Sequence, residues 1–435
     1  LPLLFGLRTV VSRRGRLSRP LAGAVLGIAL SLIPLVVVLQ VADGMIEGIT
    51  RRYLELGTYH LQVFLTGRAD ERAYAEVQTR RGQADGVTHA VRDRQGVALL
   101  DAAAGRSAVT VRAVPAELYR TDEGFRRFFS LQAGEFDLDS PGAILLGSEV
   151  ASRLGVSVGG EVKLLTTAGR ASGGRVLPVL STMRVRGVFS TGYQELDKLW
   201  SYIPLERGLR ILPEDSSAQF LGVKVREPFG DLAGQVASLQ ARLPDWARVY
   251  TWYELEKANY KSFQTTKALL VFIMVLIVLV ASVNISSSLV MVVLERLPEL
   301  AMMKTMGLSP RAMAAGFLLA GLAAGVAGCL IGLAAGLAVA VNINEVFRGV
   351  EGALNALAAA GRFLAHPLAA LGGTAEPAAR LRVFNAEFYL EEIPIRIRPA
   401  GVAAVAALTL VLSTLAAALP ARTAARVRPL AVLRR

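Results

Sequence analysis

The fold is decided by residues 267–341, which read KALLVFIMVLIVLVASVNISSSLVMVVLERLPELAMMKTMGLSPRAMAAGFLLAGLAAGVAGCLIGLAAGLAVAV. This stretch holds two long apolar runs joined by a short charged linker. Each run is long enough to cross a bilayer core of about 30 Å, which takes about 20 helical residues. The linker must therefore turn the chain around on one face of the membrane. Its composition predicts a small separate helix there, displayed as a contact surface.

Four apolar runs of this kind occur in the chain, at 21–42, 268–291, 312–341 and 400–419, and none contains Asp, Glu, Lys, Arg or His. A charge at mid-bilayer costs about 2.5 kcal/mol or more, so these runs predict four transmembrane helices rather than the core helices of a soluble protein. The first run could also be read as a signal peptide. Its length and the lack of an A-x-A cleavage site favour a retained membrane anchor.

Positive charge is concentrated in three segments between or beyond the runs. The tails at 1–20 and 420–435 each carry five Arg and no acidic residue, and the linker at 292–311 has a net charge of +1. They account for 11 of the chain's net 13 positive charges, and four spans place all three on one side. The positive-inside rule assigns that side to the cytoplasm. The high pI then reflects topology and lipid headgroups rather than nucleic acid.

The two remaining segments, 43–267 and 342–399, are expected outside the cytoplasm. The first is too long for a loop and reads as a mixed α/β domain that is held together by its own apolar core. Alternating apolar residues predict strands at 107–114, 161–166 and 183–189.

Further signals place helices and one more strand. Ser148 is predicted to cap a short helix that stops at Gly155. Residues 251–267 are predicted to form a helix that runs into the second span, and the alternation at 388–399 predicts a strand. The single cysteine, Cys329, lies inside the third span, so no intrachain disulfide can form.

The linker carries the sequence signals of a separate helix at 297–306. Pro298 suits the first helical turn, and Gly307 suits a left-handed stop. Ser309 followed by Pro310 then suits the N-cap and first position of the next helix. The linker helix is expected to lie along the cytoplasmic membrane surface.

The side chains of this helix are candidates for contact with a partner protein. Glu299 and Lys304 complement the helix dipole. Met302, Met303 and Met306 are flexible apolar residues that adapt to a partner's surface. The alternative is that the methionines merely lie among lipid headgroups.

The third span is rich in glycine, and its glycines fall at four-residue spacings. Such small residues let helix backbones approach closely in lipid. The spacing predicts close packing but leaves open whether the neighbour is a span of this chain or another subunit. The glycines concerned are Gly321, Gly325, Gly328, Gly332 and Gly336.

Motifs for catalysis are weak. No G-x-x-x-x-G-K-[ST] phosphate-binding motif occurs. One G-x-S-x-G match places Ser157 at the nucleophile position, but a helix precedes it and a strand follows, the reverse of a nucleophile elbow. The three histidines are far apart and lack neighbouring ligand residues. We therefore expect no catalytic residue, no metal site and no bound cofactor in this chain.

Several stretches resemble a known family. SVNISSSLVMVVLERLPELAMMKTMGLSPR (282–311), the glycine-rich span and ALPARTAARVRPLAVLR (418–434) resemble the membrane domain of the FtsX/MacB group of ABC transporter permeases. AILLGSEVASRLGVSVGGEVKLL (143–165) and RVRGVFSTGYQELDKLWSYIPL (184–205) are similar to its lipoprotein-releasing branch, LolC/LolE. The resemblance covers nearly the whole chain. It implies a multi-pass protein of the bacterial inner membrane, with four transmembrane helices and a MacB-like periplasmic α/β core domain.

The resemblance also implies partners. The linker helix would be a coupling helix that docks on a separate, LolD-like ABC ATPase, with Glu295, Glu299, Lys304 and Gly307 at the family's motif positions. ATP and Mg would bind in that partner. Lipoproteins would be extracted from the membrane and passed to a LolA-like periplasmic carrier. A second permease, either an identical copy or a paralogue, would complete the machine.

In LolC-type members of the family, a hairpin in the outer domain holds the carrier. Residues 166–182 lie in the corresponding place, and the candidate carrier-binding residues are Gly169, Arg170, Arg175 and Pro178. A disordered surface loop is the alternative for this segment.

Two other functions are compatible with the resemblance: MacB-like export of peptides or small molecules, and FtsX-like regulation of a cell-wall hydrolase. MacB-type chains carry a fused ATPase, and no ATPase motif occurs here. Division-type FtsX members have a much smaller outer domain. Lipoprotein release is therefore the favoured function.

Overall fold

The computed structural model describes residues 19–66, 71–81, 86–167, 178–295, 297–365 and 394–426. The chain divides into two compact units. Among the described residues, a helical unit contains those up to Met45, those from Phe263 to 365 and those from 394 onward. A sheet unit contains those from Ile46 to Ser262.

Helices are numbered along the chain. They are α1 (Arg19–Tyr53), α2 (Glu71–Arg81), α3 (Leu118–Thr121), α4 (Glu123–Phe128), α5 (Ser148–Leu154), α6 (Gln194–Asp197), α7 (Leu205–Ile211), α8 (Leu232–Gln240), α9 (Trp252–Leu255), α10 (Lys257–Glu295), α11 (Leu297–Thr305), α12 (Pro310–Val341), α13 (Ile343–Ala365) and α14 (Pro399–Ala425). A π-helical turn, Leu54–Thr58, follows α1, and a 3-10 turn, Glu214–Ser216, follows α7.

Strands are numbered in the same way. They are β1 (Leu61–Leu65), β2 (Val87–Ala102), β3 (Gly105–Val114), β4 (Ser130–Gly134), β5 (Ala143–Gly147), β6 (Glu161–Thr167), β7 (Pro178–Ser190), β8 (Trp200–Pro204), β9 (Ser217–Val225) and β10 (Ala247–Thr251).

The helical unit is built on four helices that are long and apolar enough to cross a membrane: α1, α10, α12 and α14. This confirms the predicted membrane fold. The helix predicted to lead into the second span is present, although it is broken at Glu256 between α9 and α10. Each spanning helix extends beyond the apolar run that predicted it, because the run marks only the part with no charged side chain.

The core of the helical unit joins all four spans. Its buried side chains come from each of them and include Ile28, Leu32, Ile285, Ala320, Val405 and Ala417. The Ser286 hydroxyl in α10 also donates a hydrogen bond to the carbonyl of Ala416 in α14. Polar side chains within the spans therefore serve helix association here.

The sheet unit is one ten-stranded sheet in the order β10-β1-β9-β2-β3-β8-β5-β7-β4, with β6 paired to both β2 and β7. The pairs β3–β8 and β5–β7 are parallel, and the other pairs are antiparallel. One apolar core packs α5 and α7 on β2, β3, β5, β6, β7 and β8. A second core packs α2 and α8 on β1, β9 and β10. The predicted mixed α/β domain is confirmed.

Two local predictions differ from the structure. Ser148 is the first residue of α5, and the N-cap is Gly147, which forms no side-chain bond, because β5 runs directly into the helix. Gly155 does end α5, in the left-handed conformation.

The described residues of the predicted strand at 388–399 do not form a strand. Its residues 388–393 lie outside the described residues, and 394–398 form no strand. The N–H of Arg398 donates instead to the side chain of Gln40 on α1, at 3.3 Å. Pro394 has no N–H to donate to a strand partner.

Candidate functional site: the helix between the second and third spans

The inner face of α11 is fixed to the ends of three spanning helices. Leu300 and Ala301 are fully buried. Leu300 belongs to an apolar cluster with residues of α10, α12 and α14, namely Val292, Val293, Met313, Phe317, Ala421 and Ala424. All three spans therefore contribute buried contacts to the inner face of α11.

The end of α11 is closed by a Schellman motif. The N–H of Leu308 donates to the carbonyl of Met303 at 3.0 Å, and the N–H of Gly307 donates to that of Lys304 at 3.2 Å. Gly307 has φ +97°, which is strained for any residue with a Cβ. Leu308 and Met303 both pack on the apolar cluster. The predicted glycine stop is therefore present with its usual apolar contact.

The next helix begins two residues later, as its sequence signals predicted. The Ser309 hydroxyl accepts a hydrogen bond from the N–H of Ala312 at 3.2 Å, and Pro310 is the first residue of α12. Capping at both sides leaves the linker few freely rotating bonds. The linker is thus a short, locally ordered turn.

The outer face of α11 carries Glu299 and Met302. Met306, the first residue after the helix, continues this face because its N–H still donates to the carbonyl of Met302 at 3.1 Å. The three side chains are three or four residues apart and therefore lie on one side of the helix. Met302 is 51% exposed and Met306 is 79% exposed, and Glu299 is exposed as well. Glu295, at the end of α10, is also exposed. We call Glu299, Met302 and Met306 the docking face.

Two predicted contact residues lie off this face. Lys304 is five residues from Glu299 and so about 140° around the helix. Its Nζ donates to the carbonyl of Ala425 at 3.1 Å, which ties α11 to the end of α14. Met303 is half-buried against the apolar cluster. Both side chains therefore hold the helix in place, whereas the docking face is left open.

Three glycines of α12 lie against α1. A Cβ added at Gly328 would come within 2.8 Å of the Ile28 Cβ, and one at Gly332 would come equally close to the Leu32 Cβ. At Gly336 the corresponding distance, to the Cβ of Val36, is 2.9 Å. These positions admit no side chain unless the helices move apart.

Two further glycines of α12 lie against α14. A Cβ at Gly321 would overlap the Cβ of Ala417, and one at Gly325 would overlap the Ser413 hydroxyl. The third span therefore packs closely on two other spans of the same chain. This is one of the two alternatives that the sequence left open.

The candidate carrier-binding segment joins two antiparallel strands. β6 and β7 pair from Glu161↔Arg184 to Thr167↔Pro178, so the two strands form the paired stem on either side of this segment. Pro178 is exposed at the start of β7. Gly169, Arg170 and Arg175 lie outside the described residues. β7 begins at Pro178, five residues before Met183, where the sequence predicted this strand to start. The paired stem is therefore longer than expected.

A buried charge cluster in the sheet unit was not foreseen from the sequence. It surrounds the π-helical turn that follows α1. Arg112 and Asp93 form a fully buried ion pair. Arg112 also donates to the carbonyl of Gly57 at 2.7 Å, and the Tyr59 hydroxyl donates to Asp93 at 3.2 Å. β2 and β3 thus hold the π-helical turn through charged hydrogen bonds.

Lys224 of β9 holds the other side of the same turn. Its Nζ lies 2.8 Å from Glu55 and 2.6 Å from Asp122, and it also donates to the Glu55 carbonyl. Burial alone would raise the pKa of Glu55, but His60 and Lys224 outweigh it and lower that pKa to about 2. Lys224 and Glu55 are 169 residues apart, so no local sequence pattern marks the pair.

A smaller ion-pair group lies in the helical unit. Asp43, buried on α1, forms an ion pair with Lys267 of α10. The Arg398 guanidinium, beside the start of α14, lies 3.8 Å from the same carboxylate. One acidic side chain therefore connects three spanning helices.

No arrangement for catalysis was found in the described parts of the chain. Those residues contain no group of three or more His, Cys, Asp or Glu side chains placed to hold a metal ion. Ser157 lies in the turn between α5 and β6, so the helix precedes the serine and the strand follows it. The features that stand out are surfaces and helix contacts.

Comparison with known proteins gives two matching family models. The MacB-like periplasmic core domain matches residues 21–238, and the FtsX-like permease C-terminal domain matches residues 271–429. The second match includes α11 and its docking face.

Curated relatives match over most of their length. The lipoprotein-releasing system transmembrane protein LolC of Neisseria meningitidis is 26% identical, over 97% of this chain and 95% of its own. LolC of Xylella fastidiosa is 27% identical, over 100% and 98%. The LolE protein of Haemophilus influenzae is 24% identical, over 78% and 83%.

Proposed function

The chain belongs to the family of the MacB-like periplasmic core domain, which it joins to an FtsX-like permease C-terminal domain, and from this premise we propose that it is the permease subunit of an ABC transporter that releases lipoproteins from the bacterial inner membrane. The relatives named for lipoprotein release match it almost end to end. Four spans and a large sheet domain give the protein both membrane access and an outer surface.

The observation that carries the proposal is the docking face on a helix anchored to three spans. Exposed methionines beside a carboxylate fit an apolar groove with a basic rim on a partner protein. The partner in this proposal is a separate ABC ATPase, which binds ATP and Mg. Its movement on hydrolysis displaces α11, and the buried cluster under Leu300 transmits that displacement to α10, α12 and α14.

The proposal also fixes an orientation. Both termini and α11 lie in the cytoplasm, where the ATPase is, because the basic tails and linker favour that side. The sheet domain then lies in the periplasm. The buried cluster around Glu55 and Arg112 holds the turn that follows the first span's helix within that domain.

On the outer side, the cargo is a lipoprotein and the acceptor is a soluble periplasmic carrier of the LolA type. The hairpin between β6 and β7 is the proposed carrier-binding element. A second permease, an identical copy or a paralogue, completes the assembly.

Reconstitution tests this proposal. The chain is placed in proteoliposomes with its ATPase, with or without the second permease, together with an acylated lipoprotein, and the soluble carrier is added outside. We expect ATP-dependent transfer of the lipoprotein to the carrier, and no ATP hydrolysis by the chain alone. Hydrolysis by the isolated chain, or an assembly that hydrolyses ATP but never releases lipoprotein, would contradict the proposal.

A further inference from the structure

α13 begins at Ile343, and a single residue separates it from the end of the third span at Val341. Four of its large apolar side chains are exposed, and they follow one another at spacings of three or four residues. They therefore form a single stripe along one side of the helix. The stripe consists of Val346, Val350, Leu354 and Leu357, of which Leu357 is 68% exposed.

Among residues 343–358 of α13, the polar side chains lie away from this stripe. Arg348 and Glu345 form an ion pair at 2.6 Å and are exposed. Gly352 is two residues from Val350, which places it about 160° from the centre of the stripe. The whole helix contains two Glu and two Arg, so its formal charges cancel.

We propose that α13 lies in the membrane interface, with the apolar stripe buried in lipid. The surface of α12 that leads into it is already apolar and exposed, at Leu330, Ile331 and Val341. Only Asn342 separates this surface from α13, so lipid that covers the surface also reaches the stripe. A contiguous exposed apolar row marks an interaction site, and the bilayer is the apolar phase that chain continuity brings next to it.

The chemistry of this contact follows from the charge balance. Basic surface helices gain much of their membrane binding from anionic lipids. α13 has no net charge, so its binding comes from burial of the stripe. The interaction is therefore insensitive to anionic lipid content and to salt. This inference goes beyond lipoprotein release, because it concerns how the segment between the third and fourth spans is held at the bilayer surface.

Spin labels on the full-length protein in nanodiscs test the proposal. Single cysteines replace Val350 or Leu357 on the stripe and Gly352 opposite it, in a Cys329→Ala background. Gly352 is a matched control because a Cβ there has no heavy atom within 4 Å. Leu330→Cys on α12 reports the bilayer interior. Accessibility to oxygen, which enters lipid, is compared with accessibility to a water-soluble nickel complex.

We expect labels at 350 and 357 to favour oxygen, as at 330, and the label at 352 to favour nickel. The ratios should be unchanged when anionic lipid or salt is added. Equal nickel access at 350 and 352 would mean that the stripe faces water. Protection of 350 from both reagents would mean that protein covers it. Either result overturns the proposal. If Cys329→Ala reduces the yield of folded protein, the same labels are used on the native background, where Cys329 is buried.

Discussion

The substitution Gly321→Ala tests the close packing of α12 on α14. The new Cβ would lie less than 3.0 Å from the Ala417 Cβ, which is closer than Cβ atoms approach other atoms in folded proteins. The two helices must therefore separate locally. Overpacking of this kind costs about 1–3 kcal/mol. Replacing Ala417 with Gly as well removes the clash, because the nearest remaining atoms are Leu289 Cδ1 at 3.4 Å and the Ala417 Cα at 3.7 Å. The helix propensities of the two changes also cancel.

The assay uses the thiol of Cys329, the only cysteine in the chain, which is buried in α12. A fluorogenic maleimide reacts with it only when the helical unit opens, so heating gives an unfolding midpoint. Each 1 kcal/mol lowers this midpoint by about 2–4 °C for a unit of about 150–250 residues. We expect Gly321→Ala to lower it and the double variant to restore it.

Gly27→Ala on α1 is the matched control, since a Cβ at Gly27 meets no heavy atom within 4 Å. It should leave the midpoint unchanged or raise it by a few degrees, because Ala favours a helix over Gly by about 1 kcal/mol. The packing argument is refuted if Gly321→Ala has no effect, or if the added Ala417→Gly fails to restore the midpoint.

Three further predictions concern other parts of the molecule. Gly307→Ala puts a Cβ in the left-handed conformation at a cost of about 1 kcal/mol; it should weaken ATPase docking by up to about fivefold, whereas unchanged affinity would show that the helix end adapts. Glu55 has a pKa of about 2 when folded, against 4.5 unfolded. The lowered pKa contributes about 3 kcal/mol to the free energy of unfolding at pH values above the unfolded pKa, and this contribution is lost as the pH falls from about 5 to 2. Glu55→Gln should flatten the pH dependence of stability, which tryptophan fluorescence of the sheet unit measures. Asp43→Asn should speed the labelling of Cys329 on heating, because Lys267 loses its buried partner, and equal labelling rates would exclude a stabilising role for this pair.

Much of the helical unit could be predicted because its signals are local. The length of an apolar segment can be read directly from a run without charged residues. Pro298, Gly307 and Ser309 likewise mark helix ends within a few residues. The glycine spacing in α12 likewise predicted close packing. The identity of the neighbours could not be read, because it depends on which helices meet in three dimensions.

The face of α11 that stays exposed was only partly predictable. Dipole reasoning grouped Lys304 with Glu299, but dipole position says nothing about which side of the helix a residue lies on. Helical spacing from Leu300 would have separated them, since Leu300 and Lys304 are four residues apart on the inner face. The buried contacts of Arg112 and Lys224 had no such signal, because their partners come from distant strands.

The most direct test of the central claim measures how tightly the separately purified ATPase binds the permease in nanodiscs. Met302→Asp with Met306→Asp should weaken binding about tenfold or more, since both side chains lie on the docking face. Lys304→Met, on the inner face, should leave the affinity within about threefold of the native chain. Unchanged binding by the double variant, or an equal loss in Lys304→Met, would contradict the account.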